Sequence, residues 1–175
     1  MEARERMIPH SGDDWIGVDL NTTGHVAVAA HPASGGVVML GDLSGSTGDR
    51  ERASQNQKIA KEIVKMARQL WCGIKLEDLT GAGFAGQKKR NAPLAFSRRE
   101  GSFYHLQKLI EKRAEGAGVR LVYVDPASTS RCCSRCGRPG IRKGKRFSCP
   151  ACGHAGDADA NAAFNIASAP ARRAS

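Results

Sequence analysis

Aromatic side chains are scarce: two Trp, two Tyr and five Phe make up 5% of the 175 residues. A surface that grips nucleic acid chiefly by stacking on bases needs more rings than that. Any polyanion is therefore expected to be held by charge. Long apolar runs are also missing. No stretch approaches the roughly 20 consecutive apolar residues of a transmembrane helix, and no basic amphipathic segment has an aromatic face for a membrane surface. The opening, MEARERMIPHSGDD, lacks the apolar core of a secretory signal, which predicts a cytoplasmic protein in a reducing compartment. No internal repeat is visible. Acids are the minority charge, 17 against 27 Lys and Arg, and the resulting net charge of +10 favours a polyanionic partner.

The length predicts one domain, or one with a small appendage. Residues 1–13 read as a disordered lead-in. Three short strands follow, Trp15–Leu20, His25–Ala30 and Val37–Leu43, joined by turns at Asn21–Gly24 and Pro32–Gly36. From Asp49 to Trp71 the spacing of Ile59, Ile63, Met66 and Leu70 predicts a helix with one apolar face, stopped by Gly73. A fourth strand, Ile74–Leu79, leads into a Gly-rich basic loop, Gly81 to Pro93. Ser97 and Glu100 form a capping box for a second helix, whose stripe is Phe103, Leu106, Ile110 and Ala114. Val119–Val124 is a fifth strand, a last helix runs from about Asp157 to Ala167, and the tail 169–175 reads as frayed. Three meander strands followed by alternating helices and strands predict an α/β fold, a mixed sheet with helices on its faces.

Before the last helix stand two Cys-x-x-Cys pairs, Cys133/Cys136 and Cys149/Cys152, with twelve residues between them. Four thiolates at about 2.3 Å make the closed tetrahedral site typical of structural zinc. Gly137 and Gly153 follow the second cysteine of each pair, where the knuckle turn calls for positive φ. Two disulfides or free thiols are the plainer alternative, but nothing in the chain suggests secretion, so Zn²⁺ is expected. Cys132 and Cys72 read as unliganded.

Three acids need a reason. Asp is depleted inside strands, yet Asp19 lies in WIGVDL and Glu77 in IKLEDL. Asp159 opens the last helix, where the helix dipole alone favours an acid. Taken singly, each is a satisfied polar group. Taken together, two strand acids and one helix-start acid can converge at one sheet edge and offer hard oxygen donors to Mg²⁺ or Mn²⁺. Two such ions would clamp the attacking and leaving oxygens of a phosphodiester. Arg131, Arg135, Arg138, Arg142, Lys143, Lys145 and Arg146 put seven positive charges into sixteen residues around the cysteines. They read either as a phosphate-binding surface or as a merely solvated loop. Lys88, Lys89 and Arg90 are a lid over the acids or an ordinary connection. Backbone contacts of this kind position a nucleic acid without reading its bases.

The pieces GVDLN, IKLEDL, FYHLQKLIEKRAEGAGVRLVYVDPASTSRCCSRCG and FSCPACGHAGDADANAAFNIA resemble the C-terminal half of TnpB-type proteins, the transposon-associated RNA-guided nucleases related to compact type V CRISPR effectors. The resemblance spans roughly residues 15 to 167. It implies a RuvC-like, RNase H-fold nuclease domain over 14–128 and 155–168, interrupted by a zinc-ribbon insertion at 129–154. It also implies Asp19, Glu77 and Asp159 as the catalytic, Mg²⁺-holding acids, with Asp157 capping the helix. The implied activity is two-metal hydrolysis of DNA under a guide RNA. Asn21 departs from the Gly that usually follows the first acid. The guide-binding N-terminal half of the family has no counterpart here, so a split effector with a separate partner chain, a remnant and an excised domain are all expected possibilities. A second class of function is a non-catalytic DNA- or RNA-binding zinc-ribbon module. A strand-joining transposase uses a similar acid triad, but the knuckle followed by DANAA points away from it.

Overall fold

The computed structural model describes residues 13–20, 24–43, 48–78, 102–127 and 129–171. Lys88, Lys89 and Arg90, the capping box at Ser97 and Glu100, and most of the lead-in lie outside the described residues. Strands β1 (Trp15–Leu20), β2 (Ala27–His31) and β3 (Gly36–Leu40) form the expected antiparallel meander. Helix α1 (Asp49–Gln69) crosses to β4 (Gly73–Glu77), which pairs parallel to β1. Helix α2 (Phe103–Gly116) crosses to β5 (Leu121–Val124), parallel to β4. The sheet order is β3-β2-β1-β4-β5, a mixed five-stranded sheet.

The period-two alternation of a strand divides its side chains between two faces. Ile16, Val18, Ala27, Ala29, Ile74 and Leu76 point to one side, where Ile59 and Ile63 of α1 and Leu106, Ile110 and Ala114 of α2 complete the main core. Met66, Leu70 and Phe103 are only partly buried at its margin. The other face is thinner. It is covered by α3 (Ala158–Ser168), whose Ala163 packs with Val28 and Ala30, with Phe164 alongside. Gly17 faces this helix, and a Cβ there would lie 2.0 Å from the Ala163 carbonyl oxygen.

Several boundaries differ from those expected. Gly73 does not end α1. The chain reverses at Trp71, whose φ is 55°, with the Cys72 amide donating to Ala67 O at 3.0 Å. Gly73 is the first residue of β4, and the Trp15 ring occupies the space a side chain would need. The cap of α2 is Ser102, whose side chain accepts from the His105 amide at 3.0 Å. The cysteine segment is more ordered than a pair of knuckles and a loop. It builds a second antiparallel sheet from β6 (Ile141–Lys143), β7 (Arg146–Ser148) and β8 (Ala155–Asp157), around a small core of Cys133, Phe147, Cys149 and Ala158. Among the described residues no helix is long and apolar enough to cross a membrane.

Candidate acid cluster and cysteine centre

Asp19 and Glu77 share a face because β1 and β4 are parallel neighbours. The register runs Gly17 with Lys75 and Val18 with Leu76, so the next step sets Asp19 beside Glu77 at the carboxyl ends of both strands. Both are on the α3 side by alternation. Asp159 comes from the first turn of α3 and is 2% exposed. Asp157 is the N-cap, and its Oδ1 accepts from the Asp159 and Ala160 amides at 2.9 Å each. That geometry fixes the helix start and leaves the Asp159 carboxylate directed inward. At the far end, Lys75 Nζ donates to Ala169 O at 2.6 Å beneath the Trp15 ring. The helix start is thus set by its own cap, and its far end is tied to β4, the strand that carries Glu77.

The electrostatics reflect this crowding. Burial, then the neighbouring Glu77 and Asp159, hold the Asp19 carboxyl well above the usual carboxylate range, and Arg142 opposes them. Burial raises Glu77, and the Thr129 hydroxyl, which donates to its Oε1, pulls it back. Desolvation and like charge each disfavour an ionised carboxylate. A group of acids that is half-buried at Asp19 and Glu77 and buried at Asp159 is therefore short of positive charge. Part of that charge comes from Arg142 on β6, whose guanidinium donates to Asp159 Oδ1 at 2.8 Å.

The cysteines converge more tightly. The Sγ atoms of Cys133, Cys136, Cys149 and Cys152 all lie within 4.8 Å of one another, and no other group of three or more His, Cys, Asp or Glu among the described residues does so. The Cys133–Cys152 and Cys136–Cys149 sulfurs are 3.7 and 3.5 Å apart and unbonded. A tetrahedron with metal–sulfur bonds of about 2.3 Å has edges of about 3.8 Å, so the set can hold a metal ion such as zinc. Gly137 and Gly153 have φ of 72° and 74°, and their amides close each knuckle onto Cys133 O and Cys149 O. Cys72 and Cys132 stand outside the centre. Burial in the main core pushes the Cys72 thiol up to about 11.

Arg131, Arg135, Arg138, Lys143, Lys145 and Arg146 are exposed around the cysteine module. Lys145 lies against Gly24, at the connection between β1 and β2. Arg142 differs from the rest of this group, since its guanidinium is engaged with an acid. Sequence reading did not single out the polar residues that tie the module to α3. Asn161 and Asn165, spaced i and i+4, both donate to Cys132 O, at 2.8 and 2.7 Å, and Asn161 Oδ1 accepts from the Ser134 amide. Two asparagines on one face of an Ala-rich helix were the available signal.

The family described as Cas12f1-like, TNB domain, matches residues 103–166, from the start of α2 into α3. The CRISPR-associated endodeoxyribonuclease Cas12f1 of Sulfoacidibacillus thermotolerans is 38% identical over 120 residues, 66% of this chain and 26% of that protein. A TnpB-like protein of Methanocaldococcus jannaschii is 35% identical over 112 residues, 62% of this chain and 39% of that one. This chain is a relative of the TnpB-type compact effectors. It spans about a quarter to two fifths of the length of these curated relatives. The fold agrees with the relationship. A Cas12f1 chain from a complex with single guide RNA and target DNA superposes with a TM-score of 0.69 at 19% identity, over 88% of this chain and 49% of that one. A Cas12f ternary complex gives 0.67 at 17% identity, over 92% and 40%. The five-stranded mixed sheet with its helices is thus the fold of a TnpB-type relative, and the four-cysteine cluster falls within the matched segment.

Proposed function

We propose that the chain is the metal-dependent nuclease portion of a TnpB-like RNA-guided endonuclease, with DNA as substrate. In this reading 14–128 and 155–168 form a RuvC-like, RNase H-fold domain, and 129–154 is a zinc-ribbon insertion. What supports it is the placement of Asp19 and Glu77 at the carboxyl ends of two parallel strands with Asp159 at the start of α3, where burial first, and then the charges of Glu77 and Asp159, raise Asp19. The donor set has the chemistry a hard divalent cation prefers, carboxylate oxygens short of positive charge, and its three carboxylates stand farther apart than the cysteine sulfurs, so a cation there would draw them together. Mg²⁺ or Mn²⁺ held there would supply activation of the attacking water and stabilisation of the leaving 3′ oxygen.

The chain's own residues do the rest. Asp19, Glu77 and Asp159 would hold the cations, with their carboxylate oxygens as the ligands. Arg142, already beside Asp159, meets the phosphate's negative charge when the acids are filled. The exposed Arg131, Arg135, Arg138, Lys143, Lys145 and Arg146, together with Lys88, Lys89 and Arg90, bind the nucleic-acid backbone. Guide RNA is the expected second nucleic acid, by relationship to the RNA-guided proteins, and a separate chain is the expected source of guide-binding parts. The cysteine centre is structural, since four thiolates leave no open position for chemistry.

A second reading is a non-catalytic nucleic-acid-binding module. It is favoured by the ion pair that already engages Asp159. End-labelled single-stranded DNA separates the two. The nuclease reading expects cleavage with Mn²⁺ or Mg²⁺ that EDTA stops. Binding that weakens steeply with salt, with no cleavage at any Mn²⁺ concentration, would leave the module reading and end the first. The metal of the cysteine centre is checked separately. One zinc per chain is expected by elemental analysis, and Cys149→Ser is expected to bring it to background. Structural zinc contributes about 10–16 kcal/mol in small modules, so that variant should also lose the protection of β6–β8 from hydrogen exchange. Full zinc retention would sink the four-thiolate assignment.

A further inference from the structure

A hydrogen-bonded path runs from the cysteine module to Glu77. The Thr129 hydroxyl donates to Glu77 Oε1, and its other acceptor, Pro126 O, is 3.4 Å away. Thr129 is 5% exposed. Its own carbonyl accepts from Asn165 Nδ2 at 2.8 Å. The same amide nitrogen reaches Cys132 O at 2.7 Å, and Asn161 Nδ2 reaches that oxygen at 2.8 Å. Cys132 directly precedes Cys133, the first thiol of the metal-competent set. The two asparagines stand on the helix that carries Asp159, so one helix delivers an acid and also anchors the residue that grips another.

We propose that Thr129 is a positioning residue. Its hydroxyl ties down one carboxylate oxygen of Glu77, so that the other faces the cation, and Asn165 holds Thr129 in register with the first knuckle. This rests on the reading of the acids as a divalent-cation site. A carboxylate left to rotate presents its lone pairs in many directions, whereas one with a fixed outer-sphere donor presents one pair to the metal. Partners of this kind typically change metal affinity by about 10–100-fold when removed. Thr129 touches neither substrate nor ion. Its loss should therefore appear in cation affinity before it appears in folding.

The test uses the full zinc-loaded chain and Mn²⁺ as probe, with affinity read by electron paramagnetic resonance. Thr129→Val keeps the shape and removes the hydroxyl, and Thr129→Ser keeps the hydroxyl. With zinc content and Tm unchanged, Thr129→Val is expected to bind Mn²⁺ about 10-fold more weakly, and Thr129→Ser to stay within about twofold of wild type. A second readout needs no cation: the Glu77 carboxylate ¹³C resonance in the metal-free chain should move in Thr129→Val and hold in Thr129→Ser. Wild-type affinity in Thr129→Val, with an unmoved resonance, overturns the proposal. If wild type and Glu77→Gln take up Mn²⁺ equally poorly, the cation-site reading fails instead, and the resonance alone decides whether Thr129 orients Glu77. Should Thr129→Val lose zinc or Tm, Thr129→Ala carries the same two comparisons with a smaller side chain.

Discussion

On the proposed nuclease reading, Asp19→Asn should end DNA cutting and, at the same time, stabilise the metal-free fold. The loss of activity is expected to be at least about 10²–10³-fold, the scale on which deleting one preorganised electrostatic group acts in an active site. Stability should move the other way because the Asp19 carboxyl is held well above its usual range by burial and by Glu77 and Asp159. A group whose folded value is raised binds its proton more tightly when folded. Its ionisation therefore costs stability once the pH exceeds the ordinary carboxylate range, with the full cost above the raised value. Asn carries no such cost. The variant should melt higher than wild type at neutral and alkaline pH, and the gap should close as the pH falls through the carboxylate range. Mg²⁺ should raise the wild-type Tm and leave that of Asp19→Asn nearly unmoved. Thermal melts across pH, with and without Mg²⁺, check all three points. A variant that melts below wild type at neutral pH would show that Asp19 is a structural partner and not a member of a strained acid cluster.

The position of Asp19 was legible because a strand's alternation is local. In WIGVDL the apolar Ile16 and Val18 take the core face, so an acid at the next odd position must face the other way. Gly137 and Gly153 were legible for the same reason, since a knuckle's positive φ depends on a few neighbouring residues. Convergence of four thiols followed from spacing alone. What escaped was set by tertiary contact. Arg142 sits in a run of basic residues, and only its ion pair with the buried Asp159, brought near by the fold, distinguishes it from its neighbours. Thr129 reads as a loop residue until β4 and the segment after β5 come together, 52 positions apart in sequence. Trp71 adopts a positive φ that its residue type disfavours, while Gly73 is spent on room for the Trp15 ring. A glycine's role there depends on what packs against it, which no local rule contains. The short strands β6–β8 were missed because three residues each is too brief for a periodic signal.

Gly17→Ala is the substitution expected to damage the fold most. The added Cβ would sit 2.0 Å from Ala163 O, 2.3 Å from Ala167 N and 3.0 Å from Ala167 Cα. All three are backbone atoms of α3, so no side-chain rotation relieves the clash. Either the helix lifts from β1 by more than an ångström or the strand bends away from it. Lifting the helix opens the small core of Val28, Ala30 and Ala163 and strains the bond from Lys75 to Ala169 O. It also draws Asp159 away from Asp19. Overpacking against an unyielding neighbour falls in the class of exceptional destabilisations, about 4 kcal/mol or more, a large share of a typical domain's roughly 5–15 kcal/mol. For a chain of this length that corresponds to a fall in Tm of about 10 °C or more. Gly48→Ala is the control, because a Cβ there meets nothing within 4 Å and the backbone φ is −67°; it should change Tm by no more than a few degrees. Equal melting of the two variants would mean that α3 is not seated on β1 as closely as these distances require. If Gly17→Ala stays folded at low temperature yet takes up Mn²⁺ poorly, the displaced helix has carried Asp159 out of the cluster. The close approach that only a glycine permits would then be the condition under which the three acids act together.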